Sequence, residues 1–335
     1  MKKIVIGVDV SKKKLDLCLL SGEQVALEWS VENCATSIRS SLSDALKRFG
    51  AAPSEALVCA EYTGQYTYPL GCACEAVRVD LWLENPAQIK HSSGVQRGKS
   101  DRQDAQRIAA YARRFQDRAR LFSLPEKPLA TLRQLVSERD LYMVDRSKYR
   151  GQLTDQKRFM DKSDYAAKAH RLKSLLSGLE AAIAEVDARI KALVEGDATL
   201  KRQYDLLVSI DGVGERTAVK MIAATNAFRD FDSARKFCCH AGVAPFRYDS
   251  GSSVRSRSRV SQRADKSIKA LLHMAALCAS TRMKGELHGY YERKVAEGKN
   301  KMSVLNAVRA KLVHRMFAVI KNNAPYEKLY VHPLA

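Results

Sequence analysis

Between residues 126 and 196 the chain holds almost no glycine, and its apolar residues recur at intervals of three and four. Leu129, Leu132, Leu135 and Val136 open one stripe; Leu172, Leu175, Leu176, Leu179, Ile183, Val186, Ile190 and Leu193 carry a second at near-heptad spacing. Such positions line one face of a helix, and a stripe this long needs a partner helix to cover it. The pattern predicts two long helices forming an antiparallel coiled coil, broken near Asp161 to Tyr165. This helical stretch parts the chain into three domains, at 1–120, 121–200 and 201–335. The middle one reads as a connector or oligomerisation arm, which makes the protein at least a homodimer and carries no chemistry.

The first 120 residues alternate between strand and helix periods. Ile4 to Val10 and Leu15 to Leu20 read as strands joined by Ser11-Lys12-Lys13-Lys14, and Gln24 to Val31 as a third. Next come a helix over about 36–49, an apolar strand from Ala56 ending at Glu61, a helix near 66–76, a strand over 78–83 and a helix over about 100–114. Three hairpin-like strands and then alternating helix and strand predict a mixed sheet flanked by helices. From Tyr204 the pattern is helical, so the fold class is α/β plus α.

Charge points to the partner. The 335 residues carry 57 Lys and Arg against 37 Asp and Glu, a net +20, and residues 201–335 alone hold 25 against 11. A block this basic points to phosphate-rich partners, nucleic acid first and an anionic membrane a weak second. No apolar run approaches the ~18 residues of a membrane span, and the stretch after Lys2-Lys3 reaches Asp9 within six residues, which argues against a leader or anchor. Eight cysteines without a C-x-x-C pair read as reduced thiols of a cytoplasmic protein.

Four acids stand where elements end. Asp9 closes the first strand and Glu61 the fourth; Asp101 and Asp104, three apart, share a face of the last helix of that region. Were strands one and four neighbours, all four carboxylates would converge with no Lys or Arg between them, and would need divalent cations to hold them together. Hard oxygen ligands suit Mg²⁺ or Mn²⁺, and two such ions ~3.5 to 4 Å apart serve in-line attack at a phosphodiester. An ordinary reading competes: a turn opener, a solvated strand end, and acids favouring a helix start.

In the basic region, Ile210-Asp211-Gly212-Val213-Gly214 leads into a predicted helix in the helix-hairpin-helix pattern. Gly212 and Gly214 there either present backbone N–H groups to a DNA phosphate or simply shape a turn. Downstream, Asp249-Ser250-Gly251 precedes Arg255, Arg257, Arg259 and Arg263. The arginines suit developing charge at phosphorus, whereas composition does not choose Ser250 over Ser252, Ser253 or Ser256 as a nucleophile.

Asp9-Val10-Ser11-Lys12, Glu61-Tyr62-Thr63-Gly64, Asn85-Pro86 and Lys99-Ser100-Asp101-Arg102-Gln103-Asp104 resemble the DEDD-type transposases of bridge-RNA-guided insertion sequences, a family shared with the pilin-gene invertases. The run from Ile210 through Ala241-Gly242-Val243-Ala244-Pro245, the Ser250-Gly251 pair, and Ile268 to Ala276 resembles the C-terminal domain of the same family. Asp211 stands where the family often has Pro, and Ala264-Asp265 where Gly-Asn is usual.

The resemblance implies a ribonuclease H-like (RuvC-like) N-terminal domain, with Asp9, Glu61, Asp101 and Asp104 as ligands of Mg²⁺ or Mn²⁺, two ions in all, and Ser250 as nucleophile. It also implies double-stranded donor and target DNA, a structured guide RNA, a composite site shared between subunits, and a tetrameric active complex. Two other readings stay open from the residues: a junction-resolving endonuclease that uses water, and a nucleic-acid-binding protein whose carboxylates are structural.

Overall fold

Every residue of Ile4–Val10 (β1) except Gly7 and Asp9 is aliphatic, and the strand is buried on both faces, as a central strand must be. It pairs antiparallel with Lys14–Ser21 (β2), which pairs antiparallel with Gln24–Glu32 (β3). On its other side β1 runs parallel to Ala56–Glu61 (β4), itself parallel to Asp80–Glu84 (β5). The five strands lie in the order β3-β2-β1-β4-β5. This is the mixed sheet that the alternating strand and helix periods predict.

The computed structural model describes residues 2–92, 94, 100–245, 249–250, 254–255, 260 and 264–327, those at 249–250 and 254–255 by backbone alone. The chain divides into two compact units, Met1–Leu124 and Pro125–Ala335. In the first, alternate residues of β1 face opposite layers. Ile4, Ile6 and Val8 join a core with Ala35–Arg48 (α1) and Tyr68–Val77 (α2), while Val5 faces the side that includes Pro86–Ser92 (α3) and Asp101–Arg114 (α4). Gly7 lets α4 lie directly on the sheet: a Cβ there would stand 2.2 Å from the Ala109 nitrogen and 2.3 Å from the Ala105 carbonyl oxygen. Only glycine fits, and Ala105, Ala109 and Ala112 keep the facing side of α4 thin.

In the second unit Lys127–Asp155 (α5) and Lys162–Gly196 (α6) form the antiparallel pair the stripes predict, tied by Arg139 to Asp187 at 2.5 Å and Arg150 to Glu180 at 2.6 Å. The break falls at 156–161, earlier than expected, because Asp161 caps α6 by accepting the Ser163 N–H at 2.8 Å and so restarts the helix. Leu176 and Ile183 are buried within the single chain. Leu129, Leu132, Val186 and Ile190, at the root of the pair, share one core with the later helices. These are Ala198–Val208 (α7), Glu215–Ala224 (α8), Ala234–His240 (α9), Lys266–Thr281 (α10), Glu286–Ala296 (α11) and Lys301–Asn322 (α12). Asp249–Ser250 (β6) and Val254–Arg255 (β7) form a short antiparallel pair. Among the described residues no helix is long and apolar enough to cross a membrane.

Candidate active site

The register of the sheet gathers the acids. β1 and β4 run side by side through the Val8–Ala60 pair, so Asp9 and Glu61 come one step later at the same edge. Across the hairpin, Asp9 lies opposite Asp16. Ser100 caps α4, its Oγ accepting the Gln103 N–H at 3.3 Å, and this starts the helix at Asp101 with Asp104 in the first turn. One carboxylate oxygen each from Asp9, Asp16 and Asp101 lie within 4.8 Å of one another.

Asp9 registers this crowding. Burial first, and then Asp101, Asp104, Glu61 and Asp16, push its carboxyl up to about 6 from 3.8. Glu61, Asp101 and Asp104 are therefore all near enough to act on Asp9, and a fifth acid, Asp16, joins them. Only 4% of Asp16 is exposed. Burial raises its pKa, but the Lys14 ammonium at 2.8 Å and the Ser30 hydroxyl at 2.5 Å outweigh that and hold it below the usual range.

The expectation of an acid cluster without cations is corrected. Lys14 bridges Asp16 and, at 3.0 Å, Asp101; Arg107 donates to Asp104 at 2.6 Å. Chain geometry explains both. The hairpin returns Lys14 to the edge that Asp9 occupies, and Arg107 lies three residues past Asp104 on one helix face. Asp16 could have been found from the hairpin itself, since a turn centred on Lys12-Lys13 sets residue 9 opposite residue 16.

An all-carboxylate set with one member buried, one half-buried and one exposed fits a hard divalent cation such as Mg²⁺ or Mn²⁺ rather than a soft one. Lys14 and Arg107 offset part of the negative charge around Asp9 and leave an excess for a cation to neutralise.

The second predicted region is built differently. Gly212 sits between α7 and α8 at φ +89°, and a Cβ on it would meet the Ala279 Cβ of α10 at 2.7 Å. Its freedom is used for a left-handed turn and a close helix contact. Gly214 stands at the N-cap of α8 in exposed surroundings where an added Cβ would meet nothing within 4 Å, and Glu215 comes directly after it. Ser250 pairs with Val254, and Asp249 with Arg255, through backbone. Arg257, Arg259 and Arg263 lie outside the described residues. The segment is pinned at its root, where the Asp265 N–H bonds the His240 carbonyl at 3.0 Å. Asp265 also caps α10, accepting from Ser267 N at 2.8 Å and Ile268 N at 3.1 Å. These bonds and the Ser267 hydroxyl hold its carboxyl below the usual range despite burial, and the cap is one Asn would also make, which accommodates this departure from the family pattern.

Comparison with known proteins separates the same two regions. A family profile of DEDD transposases, described as "Transposase", matches residues 6–157, and one described as "Transposase IS116/IS110/IS902 family" matches residues 204–292. The chain belongs to the IS110 transposase family. As such it is an enzyme that cuts and rejoins DNA. Its relatives include the pilin gene-inverting proteins of Moraxella bovis, 24% identical over 98% of this chain and 99% of that one, and of Moraxella lacunata, 23% identical over the same shares. Among solved structures, Thermus thermophilus RuvC matches at 17% identity and a TM-score of 0.27, covering 36% of this chain and 99% of that one.

Proposed function

We propose that this transposase cuts and rejoins DNA through a covalent link to Ser250, with its acid cluster holding divalent cations. The observation that carries the metal half is the convergence of Asp9, Asp16 and Asp101 within 4.8 Å, with Asp9 pushed up to about 6. Like-charged groups so placed gain most from a bound cation. Asp9, Glu61, Asp101 and Asp104 hold Mg²⁺ or Mn²⁺ in this reading, with Asp16 fixed beside them by Ser30 and Lys14. Two ions held there would supply charge neutralisation at the scissile phosphate.

The Ser250 oxygen attacks phosphorus, the bond from phosphorus to the 3′ oxygen breaks, and that oxygen takes up a proton as the serine gives one up. A 5′-phosphoserine link and a free 3′-hydroxyl result. Attack by the 3′-hydroxyl of another strand reverses the step and regenerates the serine, so rejoining needs no high-energy cofactor. Arg255, Arg257, Arg259 and Arg263 bind phosphates around the serine, and the turn at Gly212 and Gly214 contacts the DNA backbone. A structured guide RNA selects the donor and target DNA, and subunits assemble through the helical arm as a dimer or tetramer. The setting is the cytoplasm of a bacterial or archaeal cell.

Mixing protein, guide RNA, DNA and Mg²⁺ should trap a protein–DNA conjugate that survives denaturant, with the phosphate mapped to Ser250 by mass spectrometry. Ser250→Ala should lose the conjugate and keep DNA affinity. Cleavage with free ends and no conjugate under any condition would instead make the protein a water-using endonuclease.

A further inference from the structure

Arg309 on α12 is the most deeply buried basic side chain among the described residues: 5% of it is exposed, and no carboxylate of the described residues forms an ion pair with it. Its guanidinium donates to His273 Nδ1 on α10 at 2.7 Å and to Asn306 Oδ1 at 3.2 Å, and Nε has no partner. Taking an unpaired charge out of water costs several kcal/mol, and an apolar side chain of similar size would fill the space without that penalty. Packing alone does not account for an arginine here.

Its bonding pattern does. A guanidinium only donates. Asn306 must therefore turn Oδ1 toward Arg309, which leaves its amide nitrogen to donate to the Val243 carbonyl at 2.8 Å. For the same reason His273 Nδ1 is the acceptor, so the ring carries its proton on Nε2; burial and the neighbouring Arg309 both lower its pKa. A partner able to both donate and accept would let the Asn306 amide flip and put an oxygen against the Val243 oxygen. Val243 stands seven residues before Ser250, at the root of the segment that carries it, and with Ala244, Pro245 and Asn306 it walls a cleft of about 360 Å³. The chain after that segment is held by the His240 to Asp265 bond.

We infer that Arg309 is a positioning residue: a donor-only clamp that locks the orientation of Asn306 and, through it, the backbone from which the Ser250 segment departs. This rests on Ser250 as the nucleophile for its catalytic meaning, whereas the positioning itself is measurable without chemistry.

The test uses full-length Arg309→Met and Asn306→Leu proteins. Hydrogen exchange of peptides spanning 241–255 is expected to accelerate about tenfold or more in both, with the first unit unchanged. Conjugate formation with DNA and guide RNA should slow about tenfold or more while DNA affinity stays within about twofold, a split that general destabilisation would not produce. Arg309→Lys, which keeps the charge and the donor-only character, should recover part of the rate. Unchanged exchange over 241–255 in a folded variant would overturn the inference, as would an unchanged conjugate rate. Should Arg309→Met fail to fold, Asn306→Leu decides, since it leaves the guanidinium in place. Were the wild-type protein to form no conjugate, the serine reading would fail, and the exchange arm would still decide the role of Arg309.

Discussion

The acid edge of the first unit and the segment of the second that carries the proposed nucleophile are built in opposite ways. Asp9, Asp16 and Glu61 stand on strands of a five-stranded sheet whose pairing dictates which residues are neighbours, and Asp101 and Asp104 start a helix seated against Gly7. Ser250 stands on a two-residue strand, held at its root by single hydrogen bonds from Asn306 and Asp265. Where regular elements carry a site, many backbone bonds share the task of placing each group. Where a short segment carries it, a few individual bonds at its root do, and each matters more.

The largest effect is expected at the acid edge. Asp9→Asn should lower strand exchange by about 10³-fold or more and weaken Mn²⁺ binding in calorimetry, since a charged ligand becomes neutral. The protein should still fold. Wild-type Asp9 has a folded pKa of about 6, above its ordinary 3.8, so the folded state binds the extra proton and loses stability as pH rises through that window. Asp9→Asn removes this loss, and in the absence of metal its Tm should exceed that of the wild type at pH 7 and match it near pH 3.5. Full strand exchange by this variant would end the metal-site reading.

Next is Gly7→Ala. The added methyl meets α4 backbone at 2.2 Å, so the helix must move off the sheet, at a cost of about 3 kcal/mol or more. Asp101 and Asp104 move with it, and metal affinity should fall although no acid has been altered. Retained Tm and affinity would show that the close contact does not place these acids.

Leu176→Glu comes third. Buried between helices of one chain, it should cost several kcal/mol and unfold the arm, lowering helicity by circular dichroism. Val144 and Leu175 are 66% and 53% exposed on the same arm, so Val144→Glu with Leu175→Glu should keep helicity and, by sedimentation, reduce assembly. Unchanged mass would move the assembly surface elsewhere.

A milder effect concerns pH. Divalent binding should be nearly constant above pH 7 and weaken as pH falls below about 6, because Asp9 takes up the proton that competes with the cation. A midpoint near 4 would mean that the neighbouring acids do not raise the Asp9 carboxyl. The smallest effects belong to Arg257→Ala and Arg259→Ala, each expected to weaken DNA binding and reduce its salt dependence by about one phosphate contact.

Much of this protein was determined by sequence alone. Period-two runs fix the strands, stripes at three and four fix the helical pair, and a strand end or helix start marks Asp9, Glu61, Asp101 and Asp104, because these patterns depend on local geometry that a linear chain already contains. Tertiary structure decided the rest. Asp16 and Lys14 became part of the acid cluster only once the hairpin register was set, and Gly7 gained its role only when α4 came to lie on β1. Arg309, Asn306 and His273 form no sequence motif, for their relation is a hydrogen-bond chain between two packed helices and a loop root. Contacts between residues distant in sequence are selected by how faces pack, and no local period encodes which partner a buried donor will find.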